Sequence, residues 1–143
     1  MYPKHNEDFY GWATANASLL KQGKLKEVDM ENIIEELEEM GRSEKYQLIN
    51  RFSILIAHLL KWKYQPELRG RSWSGTIKEQ RHRIERLIKQ NPSLKHEIPE
   101  AIQEGFSDSK DLIEKETPID LNLLPSECPY TFEQIMNDEF YPE

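Results

Sequence analysis

The stretch that decides the fold is residues 48–62, LINRFSILIAHLLKW. Its apolar residues recur at steps of four, three, four and three, which is the spacing of one face of an α-helix. They are Leu48, Phe52, Leu55, Leu59 and Trp62. Further apolar residues at neighbouring positions widen this face, so the stretch predicts the central helix of the core. The helix is expected to end near Gln65, because Pro66 disfavours helical geometry in the residue before it.

Apolar residues recur at helical spacing in the rest of the chain as well, and no part alternates with the period of two typical of a strand. Start and stop signals place further helices at residues 8–22, from 29 onward, at 72–90, at 99–116 and after Thr131. Thr131 and Gln134 have the spacing of a capping box. Ser72 or Ser74 is the expected cap of the helix that follows the Pro66 corner.

Gly41 separates the central helix from an earlier apolar stripe formed by Met30, Ile33, Leu37 and Met40. A glycine in a helix interior costs about 1 kcal/mol relative to alanine, and Ser43 is able to cap a new helix. A kink and a full break are both compatible with this pattern. The sequence therefore predicts an all-α, compact single-domain bundle of five or six helices over residues 1–143, with an extended, proline-rich segment near the C-terminus.

Composition narrows the class of protein. A chain of 143 residues fits one domain and is able to bury roughly 70% of its extended surface. The single cysteine, Cys128, has no partner for an intramolecular disulfide. The N-terminal residues MYPKHNED lack the apolar core of a signal peptide, and the apolar run ILIAHLL is far too short to span a bilayer. We expect a cytoplasmic protein that does not bind membranes.

The net charge of −7 hides an acidic, basic, acidic order along the chain. Residues 27–44 hold eight acids against one base, residues 61–90 hold nine bases against three acids, and residues 100–143 hold twelve acids against two lysines. The favoured interpretation is that the acidic and basic helices are neighbours and neutralise each other.

Arg81 differs from the other bases of residues 61–90. The helical period places it only about 40° from Ile77, at the edge of the apolar face. A buried guanidinium requires hydrogen-bond partners, and we expect a carboxylate among them. Glu36, at the edge of the apolar stripe of the acidic helix, is the expected partner in a structural ion pair.

A phosphate- or nucleic-acid-binding surface is the alternative interpretation of the same region. The candidate binding residues are Arg69, Arg71, Arg83, Arg86 and Lys89. Trp62, Tyr64 or Trp73 would supply aromatic faces on which bases stack. The acidic flanks of the chain oppose this binding, so nucleic acid is a partner that the sequence does not favour.

Arg51 and His58 suggest a third, more distant alternative. An arginine followed after four to six residues by a histidine resembles the loose signature of the helical HEPN ribonucleases. In those enzymes the pair acts on an RNA phosphate and its 2′-hydroxyl. The residue after Arg51 is Phe52, where that family tends to carry a polar side chain, and a lone histidine at the edge of an apolar face is more often a packing residue.

No cofactor or metal is expected. His5, His58, His82 and His96 are scattered, and none has a second histidine or a cysteine at ligand spacing. The chain has no glycine-rich phosphate loop and no G-x-S-x-G motif. Cys128 has no basic neighbour in the sequence to lower its pKa, so it is expected to be a small packing residue.

Several motifs together resemble a bacterial family catalogued as domain of unknown function 29, which is common in cyanobacteria. The motifs are DFYGWATANASLLKQGK, AHLLKWKYQPE, TIKEQRHRIERLI and PSECPYTFEQIMNDEFYP, in that order. The resemblance covers residues 8–142. It implies an intracellular all-α domain and no particular activity or site residue.

The sequence therefore favours an uncharacterised, non-enzymatic helical protein that acts as a protein-interaction or regulatory module. Its expected partner is another protein or a second copy of the chain. No catalytic residue is assigned.

Overall fold

The computed structural model describes residues 1–143, which form five α-helices and no β-strand. The helices are α1 (Phe9–Lys21), α2 (Met30–Tyr64), α3 (Arg71–Gln90), α4 (Ile98–Glu116) and α5 (Phe132–Met136). Short 3₁₀ helices lie at Pro66–Leu68, Pro92–Glu97 and Leu121–Leu123. The prediction of an all-α fold is confirmed. None of the helices combines the length and the apolar character that crossing a membrane requires.

Helix α2 is continuous through Gly41 and extends over 35 residues. Of the two alternatives at this glycine, the full break is therefore excluded. Nothing lies within 4 Å of the position that a Cβ atom would take on Gly41, so packing does not require glycine there. The helix ends at Tyr64, directly before Gln65 and Pro66, as the sequence predicts.

The chain forms two compact units, residues 1–43 and 44–143, which we call the N-terminal unit and the C-terminal unit. The N-terminal unit contains α1 and the first part of α2. The C-terminal unit contains the rest of α2 together with α3, α4, α5 and the irregular segment between α4 and α5.

The hydrophobic core of the C-terminal unit is centred on residues 48–62 of α2. Phe52, Leu55 and Leu59 are fully buried, and each such side chain contributes about 1.5–3 kcal/mol relative to an exposed position. The other helices of this unit supply Ile77, Ile84, Phe106, Ile113 and Ile135. The predicted role of the stretch as the central core helix is confirmed.

Helices α2 and α4 pack closely at Gly105. A Cβ atom on this residue would lie 2.8 Å from the Cβ of Phe52, 3.1 Å from the backbone nitrogen of Ser53 and 3.2 Å from the carbonyl oxygen of Ile49. These distances are shorter than normal van der Waals contacts, and two of them involve helix backbone that is unable to move aside. Glycine is therefore required at this position.

Side chains cap α1 and α5, and the cap of α5 is the one that the sequence predicts. Asp8 accepts a hydrogen bond of 3.0 Å from the backbone N–H of Gly11, and Thr131 forms both hydrogen bonds of a capping box with Gln134. α1 is followed by Gly23 with a φ of 73°, the left-handed conformation that favours glycine after a helix.

The predicted cap of α3 is wrong. This helix begins at Arg71, with Gly70 at the N-cap position and no side chain as a cap. The hydroxyl of Ser74 instead donates to the carbonyl oxygen of Arg71 within the first turn. Ser72 already lies inside the helix, so neither serine precedes it.

Candidate functional site

The first candidate site is a groove of about 400 Å³ in the N-terminal unit, which we call the apolar groove. α1 and the first part of α2 form its walls. Its lining consists of Phe9, Trp12, Ala13, Asn16, Ala17, Leu20, Ile33, Glu36, Leu37 and Met40. These residues recur at steps of three and four along each helix, so each helix presents one face to the groove.

Large apolar side chains around this groove are open to solvent. Leu37 is 62% exposed, Met40 is 64% exposed and Leu20 is 41% exposed. The sequence identifies the stripe containing Leu37 and Met40 as an apolar face, and the structure shows that this face is only partly covered. A contiguous exposed apolar surface of this kind marks an interaction site more often than a structural accident.

Asp29 fixes the geometry of the two helices that form the groove. Its carboxylate accepts hydrogen bonds from the side chain of Asn32 at 2.7 Å and from the indole N–H of Trp12 at 2.9 Å. Its backbone N–H donates to the side-chain oxygen of Asn16 at 2.8 Å. The hydrogen bonds from Asn32 and Trp12 lower the pKa of Asp29 below its usual value. The loop before α2 is thereby tied to α1.

The N-terminal segment also contacts the groove walls. The imidazole of His5 packs edge-on against Trp12, with 4.6 Å between ring centroids. Its Nε2 atom lies 2.5 Å from a carboxylate oxygen of Glu36. Glu36 is the groove residue that carries negative charge, and this contact holds it at the rim.

A second groove, of about 120 Å³, lies between α2 and α3 in the C-terminal unit. We call it the arginine groove. It is lined by Gln47, Arg51, Arg83, Arg86, Leu87 and Gln90. Two of the predicted anion-binding residues, Arg83 and Arg86, are therefore brought together, and Arg51 joins them. Sequence reasoning missed this grouping because the helix pairing that creates it is not encoded locally.

The remaining predicted binding residues lie elsewhere. The Nε of Arg69 donates to the carbonyl oxygen of Trp62 at 2.6 Å, and its guanidinium lies 5.5 Å from the centroid of that indole ring. Arg69 therefore closes the corner after α2. Arg71 and Lys89 are exposed, and the helical period places both about 120° around α3 from Arg83.

Arg81 and Glu36 each have a partner other than the one predicted. Arg81 is only 2% exposed, and its guanidinium donates to the carbonyl oxygens of Ile135 and Phe140 at 2.7 Å and to that of Asp138 at 3.4 Å. Glu36 contacts His5 instead. The predicted burial of Arg81 is confirmed, but backbone carbonyls supply the hydrogen-bond acceptors because the end of α5 leaves them without partners.

Acids and bases of these stretches form ion pairs both within one helix and between helices. In the N-terminal unit, Glu39 pairs with Arg42 at 2.9 Å. In the C-terminal unit, Arg83 pairs with Glu79 at 2.9 Å, and the buried ammonium of Lys61 pairs with Glu116.

Arg51 and His58 have different surroundings. Arg51 lines the arginine groove, whereas the Nδ1 of His58 donates to the carbonyl oxygen of Ile54 at 2.8 Å. The two residues are separated by about 10 Å along the helix axis. Burial lowers the pKa of His58 below its usual value.

No group of three or more histidine, cysteine, aspartate or glutamate side chains is placed to hold a metal ion. Cys128 is half-buried, and burial raises the pKa of its thiol. Its Sγ atom lies 3.5 Å from the carbonyl oxygen of Tyr130.

The fold and its two grooves define a small helical protein that consists of a two-helix unit followed by a larger helical unit. Comparison with protein families identifies it further. The chain belongs to the family described as Domain of unknown function DUF29, whose model matches residues 5–141. This match confirms the resemblance found in the sequence. Searches of curated proteins and of solved structures found no match.

Proposed function

We propose that this protein is a non-enzymatic interaction module and that its apolar groove binds a basic amphipathic helix of another protein. The observation that carries this proposal is the exposure of Leu37, Met40 and Leu20 around a groove whose lining is mostly apolar. Removing such side chains from water on binding contributes about 25 cal/mol for each Å² of apolar surface that is covered.

The dimensions of the groove suit a helix of about four turns. α1 has 13 residues and is therefore about 20 Å long at 1.5 Å per residue. A partner helix of similar length would present apolar residues at positions i, i+3 or i+4, and i+7 to the groove. Met40 has a flexible, polarisable side chain that adapts to ligands of different shape.

The negative charge of the N-terminal unit indicates which kind of partner helix the apolar groove binds. Residues 27–44, which include the groove-forming part of α2, hold eight acids against one base. A helix with lysine or arginine beside its apolar face would place a cation next to Glu36, the acid that lines the groove. A second copy of the chain would bring its own Glu36 and net negative charge to a symmetric interface, where like charges repel. The charge pattern therefore favours a basic partner over self-association.

The experiment measures binding of a fluorescein-labelled 14-residue peptide by fluorescence anisotropy. The peptide carries leucine at helical spacing on one face and lysine on the other. We expect Leu37→Glu to weaken binding at least about tenfold, because it places a charge in the apolar contact. The matched control is Leu123→Glu, since Leu123 is 64% exposed in the C-terminal unit and should leave binding unchanged.

A second peptide with glutamate in place of lysine tests the charge argument, and we expect it to bind at least about tenfold more weakly. Equal loss of binding in both protein variants, or equal binding of both peptides, would contradict the proposal. Sedimentation equilibrium addresses self-association. A dimer that Leu37→Glu dissociates would show that a second copy occupies the groove.

A further inference from the structure

The arginine groove has the features of an anion site. Gln47 and Arg51 are four residues apart on α2, so their side chains leave the helix on the same side. Arg83, Arg86 and Gln90 follow at steps of three and four on α3 and face them across the groove. Guanidinium and amide groups from two helices thus converge on one space of about 120 Å³.

The positive charge of the arginine groove is only partly neutralised by carboxylates. No carboxylate lines it, although Glu79 pairs with Arg83 from the next turn of α3. Both side chains of that pair are about half exposed, so the pair is worth little and leaves Arg83 free to turn toward a ligand. Arg86 donates to the Nε2 of His82 at 3.4 Å, which leaves the charge of the guanidinium uncompensated.

We infer that the arginine groove binds a single phosphate group, either as free phosphate or as a small phosphate ester. This inference is independent of the proposed function, because the two grooves lie in different units of the chain. Guanidinium groups bind phosphate through paired, charge-assisted hydrogen bonds, and the amides of Gln47 and Gln90 supply further donors.

The size of the groove sets the class of ligand. Its volume of about 120 Å³ leaves room for a small anion. A tetrahedral dianion offers oxygens to donors on both helices, whereas a planar carboxylate has fewer oxygens and half the charge. An extended nucleic-acid backbone would require cations in a row along the surface. Arg71 and Lys89 instead lie on a different side of α3.

Isothermal titration calorimetry in a chloride buffer tests this inference, with inorganic phosphate and phenyl phosphate as probes. We expect saturable binding of at least one of them with a stoichiometry of one. Arg51→Gln and Arg83→Gln should each weaken binding at least about tenfold, because each removes charge-assisted hydrogen bonds. Arg71→Gln and Lys89→Gln remove the same charge outside the groove and should weaken it less than about twofold.

The two probes distinguish the sources of the phosphate group. Tighter binding of phenyl phosphate indicates an ester, and equal or weaker binding indicates free phosphate. No heat of binding at millimolar concentrations of either probe would overturn the inference. Equal weakening by all four substitutions would also overturn it, because the effect would then be a response to net charge.

A single-stranded RNA oligonucleotide forms the last arm of the experiment. If RNA binds much more tightly than phosphate and Arg71→Gln and Lys89→Gln weaken it as strongly as Arg51→Gln, the basic surface serves a nucleic-acid backbone. That result would replace the single-phosphate site. Circular dichroism of each variant confirms that the substitutions leave the helical fold intact.

Discussion

Arg81 anchors the C-terminal end of the chain through one side chain. Its buried guanidinium donates to the carbonyl oxygens of Ile135 and Phe140. These carbonyls belong to the end of α5 and the residues after it, where a helix leaves acceptors without intrahelical partners. The ring of Tyr141 lies 5.5 Å from the guanidinium and covers it.

We expect Arg81→Met to lower the free energy of unfolding by about 3 kcal/mol, because hydrogen bonds to a charged donor are lost and buried carbonyls remain unpaired. Urea denaturation measures this loss. Hydrogen exchange of the amides from residue 132 to residue 143 should accelerate more than exchange in α2. Lys89→Met, at an exposed position near the end of α3, is the control and should change stability by less than about 0.5 kcal/mol. Equal effects of the two substitutions would contradict the anchoring role.

The stability of the fold depends on pH through the carboxyl group of Glu116. The hydrogen bond from the ammonium of Lys61 lowers the pKa of Glu116 below its usual value of 4.5. A carboxyl group whose pKa is lower in the folded chain stabilises the fold above its unfolded pKa, and this contribution disappears as the pH falls through the folded pKa.

We therefore expect Glu116→Gln to destabilise the protein at pH 7 by about 1–2 kcal/mol, a range reduced because the carboxylate is partly exposed. The difference from the natural chain should shrink as the pH falls from about 5 to about 3. Urea denaturation at several pH values measures it. Glu114→Gln, two residues before Glu116 and exposed, should show no such convergence. A difference that stays constant with pH would contradict the role of this ion pair.

At the residue scale, the sequence predicts which side chains are buried better than it predicts which groups they contact. The burial of Arg81 followed from its angle to Ile77, because the helical period is a local property. Its acceptors, by contrast, are 54 and 59 residues away along the chain. Nothing in local spacing indicates that backbone carbonyls, rather than Glu36, would meet it.

At the scale of elements, two glycines within helices have opposite roles. Gly105 lies where α4 meets Phe52, Ser53 and Ile49 of α2, and a Cβ atom has no room there. Gly41 lies inside α2 with no atom near the position of a Cβ. Both are glycines within a helix, and only the packing of the helices distinguishes them.

We expect Gly105→Ala to destabilise the protein by about 1–3 kcal/mol, because the added methyl group forces α2 and α4 apart. Gly41→Ala should stabilise it by about 0.5–1 kcal/mol, since alanine has the higher helix propensity and nothing obstructs its side chain. Thermal melting followed by circular dichroism measures both. A gain in stability from Gly105→Ala would show that the two helices are less closely packed than their backbone distances indicate.

The helices could largely be predicted from the sequence, whereas the two grooves could not. The stripe containing Leu37 and Met40 gives a correct helix, but periodicity does not say whether an apolar face is covered. Likewise Arg51 and Arg83 lie on different helices, so their meeting in the arginine groove depends on the pairing of α2 with α3. Both candidate sites are products of tertiary packing.

At the scale of the whole molecule, the apolar core is distributed unevenly between the two units. Every residue of the main buried cluster lies at position 48 or later. In the N-terminal unit the buried side chains are few, namely Trp12, Asn16 and Val28. Two helices with so little buried apolar surface gain little stability from packing, because most of the stability of a helix in a protein comes from its buried face.

We therefore expect a truncated chain that begins at Ser43 to fold without the first 42 residues. Ser43 is a suitable N-cap for the shortened α2, and the core cluster remains complete. The truncated chain should melt cooperatively, with a Tm within about 8 °C of the full chain, which corresponds to a loss of no more than about 1–2 kcal/mol. A peptide of residues 1–43 should show only partial helicity by circular dichroism.

Hydrogen exchange of the full chain provides the independent comparison. Amides of α1 should exchange through local opening, faster than amides of residues 48–60, which require global unfolding. Non-cooperative melting of the truncated chain would contradict this division of stability, because the C-terminal unit would then depend on the N-terminal unit. The expected result assigns stability and partner binding to different parts of the molecule. The C-terminal unit supplies the stability, and the less stable N-terminal unit is free to gain further burial when a partner helix covers Leu37 and Met40.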